Sequence, residues 1–138
     1  MLFPNKTKYK KSRKGKYPTG IALNGNIIQF GTFAIKAIEP GIITSNQLES
    51  ARKAIVRKTK RLGKLWIRIF PNIPVTKKPI EIRMGKGKGA VDHWICKLNS
   101  GKIIFELGDI TQIQAQEAFD YAKAKLSVKT SLILNKFI

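Results

Sequence analysis

Residues Arg83-Met84-Gly85-Lys86-Gly87-Lys88-Gly89 hold the most distinctive spacing in the chain, three glycines alternating with two lysines directly after a strand-like run. Glycine lacks a Cβ and tolerates positive φ, so a backbone of this kind can lie close against a ligand. Lysine meets phosphate as a flexible point charge. The chemistry supported is contact with a polyphosphate surface. Two nucleotide-binding loops are excluded by context. A Walker A loop needs Gly-x4-Gly-Lys-Ser/Thr opening a helix, whereas Lys88 is followed by Gly89, Ala90 and a strand pattern. The dinucleotide fingerprint needs Gly-x-Gly-x-x-Gly between strand and helix; here the spacing is Gly-x-Gly-x-Gly, between strands.

Reaction chemistry has few candidates. The chain has one cysteine, Cys96, and one histidine, His93. Three positions apart in a strand, they face opposite sides, and so do the adjacent Asp92 and His93. Neither pair makes a catalytic unit. Zinc needs three or four ligands, so no metal is expected, and no cofactor. Cys96 reads as a small core hydrophobe. Without a partner it forms no internal disulfide, which fits a reducing compartment.

Charge points the same way as the glycine loop. Lys and Arg number 27 against 8 Asp and Glu, a net +19 in 138 residues. Residues 1–89 hold 21 of those cations and only Glu39, Glu49 and Glu81 as acids, a net +18; residues 90–138 carry +1. Such self-repulsion calls for a polyanion against the first two thirds of the chain. A membrane is the rival polyanion. No apolar run approaches the roughly 20 residues of a spanning helix, and the basic helix described below lacks the bulky aromatic face of an interfacial one. No membrane partner is expected.

The elements that position these residues follow from pattern. Residues 1–20 form a basic arm bearing Lys6, Lys8, Lys10, Lys11, Arg13, Lys14 and Lys16, interleaved with Phe3, Tyr9 and Tyr17. With little to bury it should be disordered alone and become ordered on RNA by phosphate pairing and stacking; an organelle presequence would be richer in Arg. Residues 21–138 read as a single α+β domain. Residues 27–38 read as an extended strand, with Gly31 a bulge or close approach. Thr44 and Gln47 make a capping-box pattern that opens a helix. At 100° per residue, Leu48, Ala51, Ile55, Thr59 and Leu62 share its buried face. Lys53, Arg57, Lys60, Arg61 and Lys64 fall opposite, flanked by Arg52 and Lys58, and Gly63 stops the helix. Leu65–Phe70 reads as a strand with an aliphatic face and an aromatic-basic face of Trp66, Arg68 and Phe70. Arg68 and Arg83 suit bidentate phosphate pairing; Trp66 and Phe70 face either RNA or the second helix. Pro71, Pro74 and Pro79 bracket a loop. Ile80–Met84 and Val91–Leu98 make a hairpin with 85–90 as its tip. A strand over Lys102–Leu107, a second helix near 111–126 buried through Ala115, Ala118, Phe119, Ala122 and Leu126, and a strand over Val128–Leu134 complete the chain.

Two stretches carry a resemblance: Lys60-Arg61-Leu62-Gly63-Lys64-Leu65-Trp66-Ile67-Arg68-Ile69-Phe70-Pro71, and residues 83–89 with Trp94 beyond them. The chain resembles the bacterial and organellar large-subunit ribosomal protein sixteen family, essentially end to end. Met1-Leu2-Phe3-Pro4, Lys6-Thr7-Lys8-Tyr9, Gly31-Thr32-Phe33, Ala51-Arg52-Lys53-Ala54, Ala124-Lys125-Leu126 and Lys129-Thr130 add to the likeness. His93, where an aromatic is common, and Asn5, where a basic residue is frequent, depart from it. The resemblance implies an α+β two-layer sandwich of mixed or antiparallel strands with two helices, of hammerhead type, and no enzymatic activity. It implies a structural constituent of the large ribosomal subunit on ribosomal RNA near the base of the central protuberance. Neighbouring ribosomal proteins are implied partners, and the loop matching Arg83–Gly89, with the arm, reaches toward tRNA in the A and P sites. The expected rRNA-binding set is the seven arm cations with Arg52, Lys53, Arg57, Lys60, Arg61, Lys64 and Arg68. A free-standing RNA-binding accessory or assembly factor is the alternative. Heavy use of Ile and Lys with only six Arg points to an AT-rich genome. A family-like start without an added presequence suggests a gene read inside an organelle or an AT-rich bacterium, and general likeness to the family favours a mitochondrial ribosome over a plastid one.

Overall fold

Nine elements follow one another in the computed structural model, which describes residues 2–135. Met1, which opens the family-like start, and residues 136–138 lie outside the described residues. The order is β1 (Phe33–Ala37), β2 (Gly41–Thr44), α1 (Ser45–Lys58), β3 (Lys64–Ile67), β4 (Ile73–Lys77), β5 (Ala90–Leu98), β6 (Ile103–Gly108), α2 (Gln112–Lys123) and β7 (Thr130–Leu134).

The strands form two antiparallel sheets, in the orders β3-β6-β1-β7 and β2-β5-β4. A strand buried on both faces reads as a continuous apolar run, and β6 is buried at every position. One apolar core joins sheets and helices. Phe33, Ile35, Leu98 and Phe105 meet Leu48, Ala51 and Ile55 of α1 and Ala115, Ala118 and Phe119 of α2. The expected α+β class is what the chain adopts.

Both helices begin as the sequence predicts for the first. Thr44 caps α1: its hydroxyl accepts from Gln47 N at 3.2 Å, and the Gln47 side chain accepts from Thr44 N at 3.0 Å. Thr111 and Gln114 repeat the device on α2. Both buried faces match expectation except at their ends. Leu62 is 58% exposed, because α1 stops at Lys58. Leu126 lies past α2, partly buried against the core.

Several expected strands need correction. Residues 27–32 are not strand; the backbone N–H groups of Gln29, Phe30 and Gly31 turn onto the carboxylate of Glu106, and only 33–37 pair in a sheet. Gly31 there is the close approach: a Cβ would fall 2.4 Å from Leu107 O. The proline-bracketed loop contains β4, with Pro74 inside it. Proline is tolerated because β4 is an edge strand whose outer side needs no donor. Residues 80–84 form turns rather than a strand, with Ile80 and Met84 fully exposed. The hairpin is therefore β4–β5, paired from Ile73↔Ile95 to Lys77↔Ala90, and its loop spans 78–89.

Candidate nucleic-acid interface

The end of α1 concentrates cations. Thr59 N–H donates to Ile55 O at 2.9 Å and closes the last turn. Lys60 (φ 51°) and Arg61 (φ 64°) then enter the left-handed region, followed by Gly63 (φ 76°). Two successive side-chain-bearing residues there store strain. The chain curls back instead of continuing, with Arg61 N bonded to Val56 O at 3.0 Å. Lys60 and Arg61 thereby join Arg52, Lys53 and Arg57 around an open depression of about 560 Å³. The sequence placed them on one helix face; the helix supplies the first three and the curl delivers the other two.

Glu49 is the acid beside this cluster. It binds Arg52 at 2.6 Å and approaches Lys53 at 4.0 Å. The Arg52 hydrogen bond holds the Glu49 carboxyl below its ordinary value, and Glu49 in return raises the Arg52 guanidinium. Among the described residues Arg57, Lys60 and Arg61 have no acidic partner. Lys58 turns away to lie 4.0 Å over the Tyr121 ring, and Lys64 sits 3.3 Å from Asp109.

Arg68 is placed differently from the expected phosphate contact. Its guanidinium faces inward, paired with the fully buried Glu106, bonded to Gln29 Oε1 at 2.8 Å and 5.0 Å from the Phe30 ring. Glu106 also accepts from the backbone N–H groups of Gln29, Phe30 (2.7 Å) and Gly31 (3.1 Å). A buried carboxylate persists only when its charge is met by bonds of this kind. The strand ends at Ile67 rather than Phe70; Trp66 within it stacks on Phe30 at 6.0 Å, and Arg68 just beyond it joins in clamping the segment before β1. Sequence reasoning missed this cradle, because Arg68 lies 38 positions from Glu106 and the donating Phe30 amide 76, and no local spacing joins them.

In loop 78–89, Gly85 (φ 98°), Lys86 (φ 55°) and Gly87 (φ 90°) all take left-handed backbone, and a Cβ at Gly85 or Gly87 would meet open space. Gly89 has another role: a Cβ there would fall 2.5 Å from Lys77 O, where the hairpin closes. Lys86 and Arg83 are exposed. The arm lies beside this loop. Lys11 Nζ donates to Lys88 O at 2.9 Å, and Lys88 Nζ donates to Ser12 O at 2.5 Å. Lys97 Nζ reaches Lys16 O at 2.7 Å, and residues 5–17 are exposed throughout. The structure thus brings arm and loop together, a juxtaposition that sequence spacing does not convey.

Asp92 and His93 correct a second expectation. They touch, Asp92 Oδ2 to His93 Nδ1 at 2.8 Å, instead of facing apart. The register runs Val75↔His93 and then Thr76↔Val91, so Asp92 is the extra residue of a β-bulge, which breaks the alternation of sides. Cys96 is buried, and burial raises its thiol pKa. Among the described residues no three His, Cys, Asp or Glu side chains gather as a metal site, and no helix is long and apolar enough to cross a membrane.

Among the described residues, then, an α+β scaffold holds Arg57, Lys60 and Arg61 without acidic partners at a curled helix end, with a basic arm beside a glycine-lysine loop. The family profile described as ribosomal protein L16p/L10e matches residues 4–133, and the chain belongs to that family. It is similar to the large ribosomal subunit protein uL16 of Aeromonas hydrophila and of Aeromonas salmonicida, each 48% identical over 134 residues and 97% of both chains. It is 47% identical over 133 residues to the protein of that name from Thioalkalivibrio sulfidiphilus, covering 96% of each chain. As a ribosomal protein it is a structural component, not an enzyme.

Proposed function

We propose that this chain is a structural constituent of the large ribosomal subunit, holding large-subunit RNA and neighbouring ribosomal proteins near the base of the central protuberance. Its near-complete alignment with proteins named for that subunit carries the reading. The cluster of Arg57, Lys60 and Arg61, which lacks acidic partners among the described residues, supports an RNA-facing role. Arg52, Lys53 and Lys64 extend that surface. Arg68, tied to Glu106, orients the surface instead of meeting phosphate. The arm over 1–20 orders on RNA while 21–138 folds as one domain. Sedimentation tests this: a ribosomal constituent stays with large subunits through high-salt washing, whereas a free-standing accessory factor strips off as counterions compete.

The loop over 83–89 reaches toward tRNA in the A and P sites. Its support is the exposed Lys86 on a glycine-built turn and the arm docked at Lys88. Replacing Lys86 and Lys88 by alanine should leave thermal stability nearly unchanged, because exposed tips contribute little, and should weaken tRNA binding to reconstituted subunits. Undiminished tRNA binding removes the loop from this role. The Ile- and Lys-rich, Arg-poor composition supports an AT-rich genome, and we propose a mitochondrial ribosome as its home; the relatives named above are bacterial. A plastid or an AT-rich bacterium fits the same composition, and cell fractionation with an antibody to the chain distinguishes the three.

A further inference from the structure

Residues 103–122 contain no lysine or arginine, in a chain of 27, and carry four acids. Three of these meet a cation within the fold: Glu106 against Arg68, Asp109 against Lys64 and Asp120 against Lys123. The fourth, Glu117, lies on α2 beside Asp120. That helix buries Ala115, Ala118, Phe119 and Ala122, so at 100° per residue Ile113, Gln116, Glu117 and Asp120 face away from the core. They surround a shallow depression of about 360 Å³. Ile113 is 74% exposed there. Asp120 accepts from Lys123 Nζ at 2.6 Å and Gln116 Nε2 at 3.4 Å, and Glu117 has no partner among the described residues.

We propose that this outward face of α2 docks a lysine- and arginine-rich segment of another protein, with Ile113 as apolar anchor and Glu117 as its charge partner, Asp120 being already paired with Lys123. The proposal rests on the ribosomal reading above and adds which face protein, not RNA, covers. Charge selects the occupant. Carboxylates repel phosphate and attract cations. A protein segment seated on RNA carries surplus lysine and arginine for the same reason this chain does. An exposed aliphatic side chain ringed by acids and amides also matches the apolar centre and polar rim of a protein interface. The patch ends at Tyr121, over whose ring Lys58 brings positive charge back.

Photo-crosslinking tests this. Benzoylphenylalanine is placed at Ile113 in the full chain and, in a second preparation, at Val56 in the cationic depression, and both are assembled into large subunits. Position 113 should capture a protein peptide rich in Lys and Arg, and position 56 should capture RNA. Adding Glu117→Gln should lower capture at 113 about threefold at low salt and leave capture at 56 unchanged. RNA captured from 113, a captured peptide without surplus cations, or silence at 113 while 56 captures RNA each overturns the proposal. Silence at both positions, with a chain that no longer co-sediments with the subunit, fells the ribosomal reading instead.

Discussion

Glu106 accepts three backbone N–H bonds and the Arg68 guanidinium while fully buried, so its charge and theirs are mutually dependent. Replacing it with glutamine keeps the shape and strands the Arg68 cation. Breaking a buried pair from one side costs about 3–5 kcal/mol. Glu106→Gln should therefore show a marked drop in urea midpoint, with Gln29–Gly31 amides exchanging faster. Lys60 makes the opposite case. Its φ of 51° strains any residue with a Cβ. Lys60→Gly should gain about 0.5–1 kcal/mol of stability. The same change should weaken RNA binding and flatten its salt slope by about one. Urea melts and filter binding on one preparation read both effects. Glu49 adds a small pH term. Its carboxyl is held below the ordinary 4.5 by Arg52, so the stability it contributes is present above that value and fades as pH falls through the lowered one.

At the scale of elements, two glycines of one loop should respond differently. Gly89→Ala pushes a Cβ to 2.5 Å from the Lys77 carbonyl, at the closure of β4–β5, and should cost about 2 kcal/mol. Gly85→Ala meets open space and should reshape the loop with little change in thermal midpoint. Elements were legible where the cue was local. Thr44 and Gln47 announced α1 through a three-residue spacing, and the apolar run before Leu98 announced β5. Elements were misread where the deciding partner was distant. Ile80, Ile82 and Met84 alternate like a strand but find no sheet. Ile73–Lys77 hides behind Pro74 and becomes a strand only because β5 lies beside it. The end of α1 was placed at Gly63, since nothing in the spacing of Lys60 and Arg61 signals that the backbone turns left-handed there. Of the site, the cation identities could be read directly. That Arg68 turns inward could not, because Glu106 is 38 positions away.

For the whole molecule, a net +19 should make RNA affinity steeply salt-dependent. Neutralising 6–10 phosphates predicts a loss of roughly 10³–10⁵ in affinity between 50 and 200 mM salt. A shallow dependence in filter binding would show that the cations do not meet phosphate. The same excess charge opposes compaction in free solution, so added RNA should raise the thermal midpoint by mass action.

Pro74 sits in β4, at the border of the three-stranded sheet, and has no N–H to offer a further strand. A newly made copy awaiting incorporation therefore presents a blunted rim to its siblings. Strand-by-strand coalescence of the orphan pool is discouraged at that border, which matters most for a polypeptide produced faster than its scaffold becomes available.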